Sequence, residues 1–304
     1  MKIKNQFIYS FITILFLFSL TGCSNSQSPE LANELHFSLD GISDVTISYD
    51  EELITFYEAD SNELVIKEYM TENKTSCHAD INEDGDSIHI SEGGKPLFKS
   101  GFSRYIEVYL PVSYAEALTI ATTDGNIDLS DISLQLSMLR IDSTAGTVKL
   151  CEAAASNIHL STTSGTLELG SITADTIRLD TTSGNITCDE LAGNVTYTST
   201  SGNADIKSAI GSGNYKANNS GELKVIYTEV TGDLSIFNKN DDINLTLPAD
   251  LEFEFEATTK NGSVSTTFQE CIFVDGRTTR GTVGNNPTVT IKAETNNGNI
   301  EVSQ

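Results

Sequence analysis

The sequence predicts an all-β protein: a parallel β-solenoid, β-helix-like, of about nine coils of about 20 residues, led by a less regular β zone. Three observations predict it. From residue 118 a motif recurs around a central glycine, at Gly125, Gly146, Gly165, Gly184, Gly202, Gly221, Gly262 and Gly298, with Asp241 standing in once. The steps between these positions are 21, 19, 19, 18, 19, 20, 21 and then 36 residues. Second, apolar and polar residues alternate on both sides of each Thr/Ser/Asn-Gly corner, which is the period of a half-buried strand. Third, like residues recur at like positions from copy to copy, which stacked coils require and a meander does not.

In chain order, residues 1–22 read as a lipoprotein signal peptide. Lys2 and Lys4 precede an apolar run from Phe7 to Leu20, shorter than the roughly 20 residues a membrane-spanning helix needs. Leu20-Thr21-Gly22-Cys23 looks like a lipobox, which makes Cys23 the lipidated residue and the acyl chains the membrane anchor. Residues 23–34 then hold the lipidated Cys and a polar tether. The expected location is the cell envelope, on the extracytoplasmic face of a bacterial membrane. Residues 35–117 form the less regular zone. Val45–Ile47, Leu53–Tyr57, Leu64–Tyr69, Ile88–Ile90 and Tyr105–Leu110 read as strands separated by Asp/Gly/Asn turns. A solenoid end exposes unpaired strand edges, so this zone is expected to cap the first coil.

Residues 118–304 are the solenoid. Two and four residues after each glycine the chain is apolar, as in Ile127/Leu129, Leu167/Leu169 and Ile186/Cys188, while Asp128, Glu168 and Thr187 between them face water. This register points the Cys188 thiol inward. The corner glycines are expected to supply positive φ. The Gly221 copy places Asn214 and Lys216 where apolar residues belong, which predicts a bulge or local shift there. An insertion at about 268–286, with Gly276, Gly281 and Gly284, explains the last long step.

Charge limits the partners. The chain of 304 residues carries 43 Asp and Glu against 18 Lys and Arg, a net charge of −25. The signal removes Lys2 and Lys4 and no acid, which takes the mature chain to −27. Nucleic-acid binders need clustered cations to displace counterions, so no nucleic-acid partner is expected. Apolar residues make up 38% of the chain, too many for a disordered acidic tail.

Few groups point to chemistry. Asp80, Asn82, Asp84 and Asp86 with Gly85 match the start of a calcium loop, but Ser91 stands where the closing Glu belongs. The plainer reading is an Asp-Gly hairpin turn, so no cofactor is expected, with Ca²⁺ the one candidate. Arg140, His159 and Arg178 fall at one outward position of successive coils, and Asp142, Ser161 and Asp180 at another. Asp142 and Asp180 would lie two rungs apart, about 9.6 Å at a rung spacing of about 4.8 Å, near the upper end for an inverting glycosidase pair. The plainer reading is a surface charge ladder. Thr122-Thr123, Ser143-Thr144, Thr162-Thr163, Thr181-Thr182 and Ser199-Thr200 form a hydroxyl ridge that satisfies corner backbone and offers a regular face to a repetitive ligand.

The lipobox, the stacked Thr-Thr-Ser-Gly-Asn-Ile corners and the closing Thr-Asn-Asn-Gly-Asn-Ile-Glu-Val resemble the bacterial putative adhesin family, a domain-of-unknown-function grouping of β-strand-repeat envelope proteins. Tyr105 to Ile120, YIEVYLPVSYAEALTI, resembles the lead-in to that family's repeats. The resemblance spans roughly residues 35–304 and implies an envelope protein without transferable catalytic residues. The expected function is non-enzymatic: an adhesin-like or structural surface lipoprotein facing a cell-wall polymer, glycan or surface protein. Two alternatives stay open, an envelope-stress or signalling component with a membrane partner, and a polysaccharide-cleaving enzyme using the Arg/Asp/His patch.

Overall fold

Strict alternation makes strands, and copies alike at every position pair best with one another in parallel. The computed structural model describes residues 28–96, 101–268 and 272–304. The predicted signal, Cys23 and Cys271 lie outside the described residues.

The N-terminal zone supplies β1 (Glu30–Ser38), β2 (Asp44–Tyr49), β3 (Leu53–Ala59), β4 (Glu63–Met70), β5 (Asp80–Asp84), β6 (Ser87–Ser91) and β7 (Arg104–Pro111). The regular repeat supplies β8 (Ala117–Thr122), β9 (Ile127–Ser143), β10 (Thr147–Thr162), β11 (Thr166–Thr181), β12 (Asn185–Ser199), β13 (Ala204–Ala217) and β14 (Leu223–Asn238). The chain continues through β15 (Ile243–Thr246), β16 (Phe253–Thr259), β17 (Val264–Thr266), β18 (Ile272–Asp275), β19 (Thr278–Val283), β20 (Val289–Thr295) and β21 (Ile300–Ser303).

Each long strand runs from one glycine corner to the next and bends where two consecutive residues face water. In β10 these are Cys151-Glu152 and Ser156-Asn157. The alternation changes phase at each bend, so Leu150, Ala153 and Ile158 all point inward. Parallel pairing aligns Ile127, Val148, Leu167 and Ile186 as one buried row. Each such side chain, removed from water, contributes about 1.5–3 kcal/mol.

Stacking follows chain order only in the middle. At the N-terminal end β2 and β3 form a rung directly against β8 and β9, and β6 and β7 form another rung outside it. The zone expected merely to cap the coils therefore also builds two of them. At the other end β20 and β21 lie against β14 and β15, and the earlier β16 and β17 pack outside them. The chain skips a rung and returns through β18 and β19, the predicted insertion, which pairs antiparallel with β16. Antiparallel β4 and β1 cover β7 in the same way, and such covering blunts sheet edges.

The corner glycines have a different cause from the one expected. Among them only Gly146 (φ 91°) and Gly221 (φ 115°) take positive φ. The shared reason is close approach. A Cβ on Gly184 would fall on the carbonyl oxygen of Gly165, one on Gly165 on that of Gly146, and one on Gly202 on that of Gly184. Across the reordered end the contact runs from Gly298 to Asp241 and from Gly262 to Gly298.

The expected irregularity near Gly221 lies mainly outside the pairing with β12. Gly213, Asn214 and Tyr215 pair in register with Val195, Thr196 and Tyr197, and the corner after Ala217 is one residue longer than its predecessor. Shifts occur instead between β13 and β14. Gly213 occupies an inward position because the Tyr215 ring and Tyr227 hydroxyl fill its side-chain space. Tyr215 and Tyr227 bond through their hydroxyls at 2.9 Å, and Tyr197 donates to the Gly202 carbonyl at 3.0 Å.

Burial pushes Tyr197 and Tyr227 up to about 12, and likewise the Cys188 thiol, from ordinary values of 10.0 and 9.0. A folded pKa above the unfolded one leaves stability intact below the unfolded pKa and removes it as pH rises toward the folded value. The denaturation midpoint should therefore hold to about pH 9 and fall steadily by about pH 11, with tyrosinate absorbance rising as the chain unfolds. Thiol labelling gives a second check. Cys77, Cys151 and Cys188 are free, and only Cys151 is exposed. In the native protein Cys151 should react promptly, whereas Cys77 and Cys188 should react only in denaturant.

Candidate functional site

Register brings all five predicted catalytic candidates together. β9, β10 and β11 align Arg140, His159 and Arg178 in one row and Asp142, Ser161 and Asp180 in the next. Arg140 donates from Nε to Asp142 Oδ2 at 2.5 Å and from Nη2 to Oδ1 at 3.0 Å. Ser161 Oγ donates to Asp142 Oδ1 at 2.8 Å. Arg140 Nη1 lies 2.8 Å from His159 Nδ1. A guanidinium only donates, so Nδ1 accepts and the ring proton sits on Nε2, which donates to Asp180 Oδ2 at 3.0 Å. Arg178 Nε donates to the same oxygen. Each carboxylate thus already accepts from a guanidinium and a second donor. The arrangement is a cross-strand charge ladder, worth about 0.2–1 kcal/mol per exposed pair. A shallow hollow of 250 Å³ adjoins it, lined by Asp50, Thr123, Asp142, Ser161 and Thr163 among others.

The calcium candidates fall on a hairpin. Asp80, Asn82 and Asp84 lie along β5, which pairs with β6 across the Gly85-Asp86 turn. Side chains two apart on a strand are about 6.8 Å apart, whereas a calcium shell gathers its oxygens within about 2.6 Å of the ion. Asp86 instead accepts from Ser43 Oγ at 2.7 Å, and that bond holds its carboxyl below the ordinary range.

The corner ridge divides into an inner and an outer column. Thr122, Thr162, Thr181 and Ser199 are buried and accept from the backbone N–H of Gly125, Gly165, Gly184 and Gly202 at 2.7–2.9 Å. That column serves the fold. Thr123, Thr144, Thr163, Thr182 and Thr200 form the exposed column. In the neighbouring column, from Ser201 onward, side-chain amides form a chain: Asn219 donates to Ser201, Asn240 to Asn219, Asn297 to Asn240 and Asn261 to Asn297, at 2.7–3.3 Å. The amide chain crosses the reordered end without a break.

Sequence reasoning missed an aromatic face. Parallel β3–β7 and antiparallel β4–β7 pairing bring Tyr57 beside Tyr109 and Tyr69 beside Tyr105 on the outer side. Tyr57 and Tyr109 stack with centroids 5.2 Å apart, and Tyr69 and Tyr105 at 4.5 Å. Between the pairs Glu107 accepts from Tyr69 Oη at 3.0 Å and Tyr109 Oη at 2.9 Å through one oxygen. Partial burial, then Glu107, pushes both phenols up to about 12. Lys67 Nζ sits 4.8 Å from the Tyr109 ring centroid. The available signal was Tyr105-Ile-Glu-Val-Tyr109, which puts two rings and a carboxylate on the face opposite Ile106 and Val108.

No curated protein matches the chain. Among solved structures it is similar to a putative adhesin from Parabacteroides distasonis, at 13% identity and a TM-score of 0.42 over 88% of this chain and 96% of that one. A putative adhesin from Bacteroides fragilis is 12% identical, with a TM-score of 0.39, over 89% of this chain and 96% of that one. A putative cell adhesion protein from Clostridium sporogenes is 12% identical, with a TM-score of 0.29, over 91% of this chain and 99% of that one. Residues 42–303, from just before β2 to the end of β21, match the Toastrack DUF4097 family, and the chain belongs to it.

Proposed function

We propose that the protein is a non-enzymatic, adhesin-like surface module, anchored through lipid on Cys23, that offers an extended solenoid face to a ligand outside the cell membrane. The observation that carries this reading is the alignment of outward side chains into rows across β10, β11 and β12. Thr147, Thr166 and Asn185 align, as do Lys149, Glu168 and Thr187, and Ser161, Asp180 and Thr198. Rigid rows at a spacing of about 4.8 Å suit a partner that is itself extended or repetitive, such as a wall polymer, a glycan or a surface protein. Among the described residues no helix is long and apolar enough to cross a membrane. The net charge of −25 keeps anionic polymers away.

A deletion strain and its complemented parent test the reading through whole-cell adherence and wall binding. Adherence is expected to fall on deletion and to return with the full chain, but not with a Cys23→Ala variant that sheds from the membrane. Unchanged adherence together with altered envelope-stress expression would replace this reading with a signalling role. Glycan cleavage lost in Asp142→Asn and Asp180→Asn would replace it with an enzymatic one.

A further inference from the structure

We propose that the tyrosine face of β3, β4 and β7 is a binding surface for a neutral glycan; this rests on the binding-module reading above and names its ligand class. The face has the layout such a ligand needs. One outward row across the strands is Tyr69, Tyr105 and Leu53, and another is Val65, Tyr109 and Tyr57. Between them runs a polar row of Lys67, Glu107 and Thr55, which Glu34 on β1 extends. Rows two residues apart on a strand are about 6.8 Å apart, so a saccharide unit can rest on apolar groups while its hydroxyls reach the polar row. Leu53, outward beside Tyr105, is 44% exposed. Pyranose C–H groups pack on aromatic and aliphatic carbon. A carboxylate, an ammonium and a hydroxyl in line supply both acceptors and donors for sugar hydroxyls.

Electrostatics select a neutral ligand over the charged alternatives. An incoming cation would seek an aromatic face beside a carboxylate, but the Lys67 ammonium already lies over Tyr109 and faces Glu34 at 3.9 Å. Two phenols hold Glu107 at Oε2 alone, so the carboxylate keeps lone pairs for a neutral hydroxyl, whose bond adds no charge to the site. An anion would meet Glu34, Glu107 and Asp128, which aligns with Thr55 in the same polar row, on a chain of net charge −25. A hydroxyl-rich neutral chain meets neither obstacle.

The test uses the full chain in detergent micelles against immobilised cellohexaose, chitohexaose and mannohexaose, with heparin and polylysine as anionic and cationic arms. The expected result is binding to at least one neutral hexasaccharide, weakened about tenfold by Tyr57→Ser or Leu53→Ser and little changed by Tyr57→Phe, which keeps the ring. Unaltered thermal midpoints show that these outward substitutions spare the fold. Arg178→Ser, on the charge ladder, should bind as the parent does. Hexasaccharide binding unmoved by Tyr57→Ser and Leu53→Ser would overturn this surface and leave the binding module standing. Binding to polylysine or heparin alone, lost in Tyr57→Ser, would overturn the ligand class. Failure of every arm while cells still depend on the protein for adherence would overturn the glycan proposal without touching the module.

Discussion

Gly184→Ala is expected to destabilise the protein by about 3 kcal/mol or more, read as a drop in the urea midpoint. The added Cβ would meet the Gly165 carbonyl oxygen, Thr162 Cγ2 and Thr181 Oγ1. The carbonyl belongs to the preceding corner, and Thr181 Oγ1 is held by the Gly184 N–H at 2.7 Å. Neither can withdraw without opening a rung. The carbonyls of Gly146, Gly165 and Gly184 all stand in such contacts with the next glycine, so a local separation disturbs the rungs on both sides. In a solenoid, stability is close to a sum of rung and nearest-neighbour terms, and the transition should broaden as the halves uncouple. Thr182→Ala, two residues away at an exposed position, should stay within about 0.5 kcal/mol. Equal effects of the two substitutions would contradict the close-approach account of the corners.

Arg104→Met should cost about 3–5 kcal/mol. The Arg104 side chain is fully buried and donates from Nε and Nη2 to Glu52 Oε1 at 3.2 and 2.9 Å, from Nη1 to the Cys77 carbonyl at 2.7 Å, and to Glu92. Glu92 Oε2 in turn accepts from the Asp50 N–H at 2.7 Å, at the corner of the β2–β3 rung. Lys95 adds a contact to Glu92 at 2.8 Å. Beneath them Glu68, wholly buried, accepts from Asn33 at 2.7 Å and from the Ala79 N–H at 2.9 Å. Methionine keeps the volume and deletes the charge, leaving Glu52 and Glu92 in the interior with Lys95 as their remaining cation among the described residues. Because the loss comes from uncompensated buried charge, Glu52→Gln on the Arg104→Met background should recover part of it. Glu52→Gln alone should destabilise. Additive losses in the double variant would refute the coupling.

The two substitutions also mark where sequence reasoning succeeds. Gly184 announces itself because the corner repeats: local alternation and the glycine spacing determine the strands, their inward sides and the pairing of β9 through β13. Period alone places Ile127, Leu167 and Cys188 inward, and all three are buried. Arg104 gives no such signal. Its partners lie on separate elements, and only packing brings Glu52, Cys77 and Glu92 around one guanidinium. The charge ladder from Arg140 to Arg178 was legible because its members occupy equivalent positions of successive coils. The tyrosine face was not, because Tyr57, Tyr69 and Tyr105 come from strands that meet by the antiparallel turn of β4 and by the parallel return of β7.

By itself, then, the sequence determined an all-β solenoid, its corners, its inward rows and its acidic outer surface, since all of these depend on contacts within one strand or between adjacent coils. Only the tertiary structure decided which rung ends next to which at the two ends of the stack. Backbone hydrogen bonds of one parallel rung match those of any other, so chain order alone does not select the neighbour. The choice falls to side chains, namely the Arg104 cluster at one end and, at the other, Phe253 and Phe255 against Phe268 with centroids 5.3 and 5.1 Å away. The same choice assembles the aromatic face, and so the surface with the clearest chemistry for a ligand.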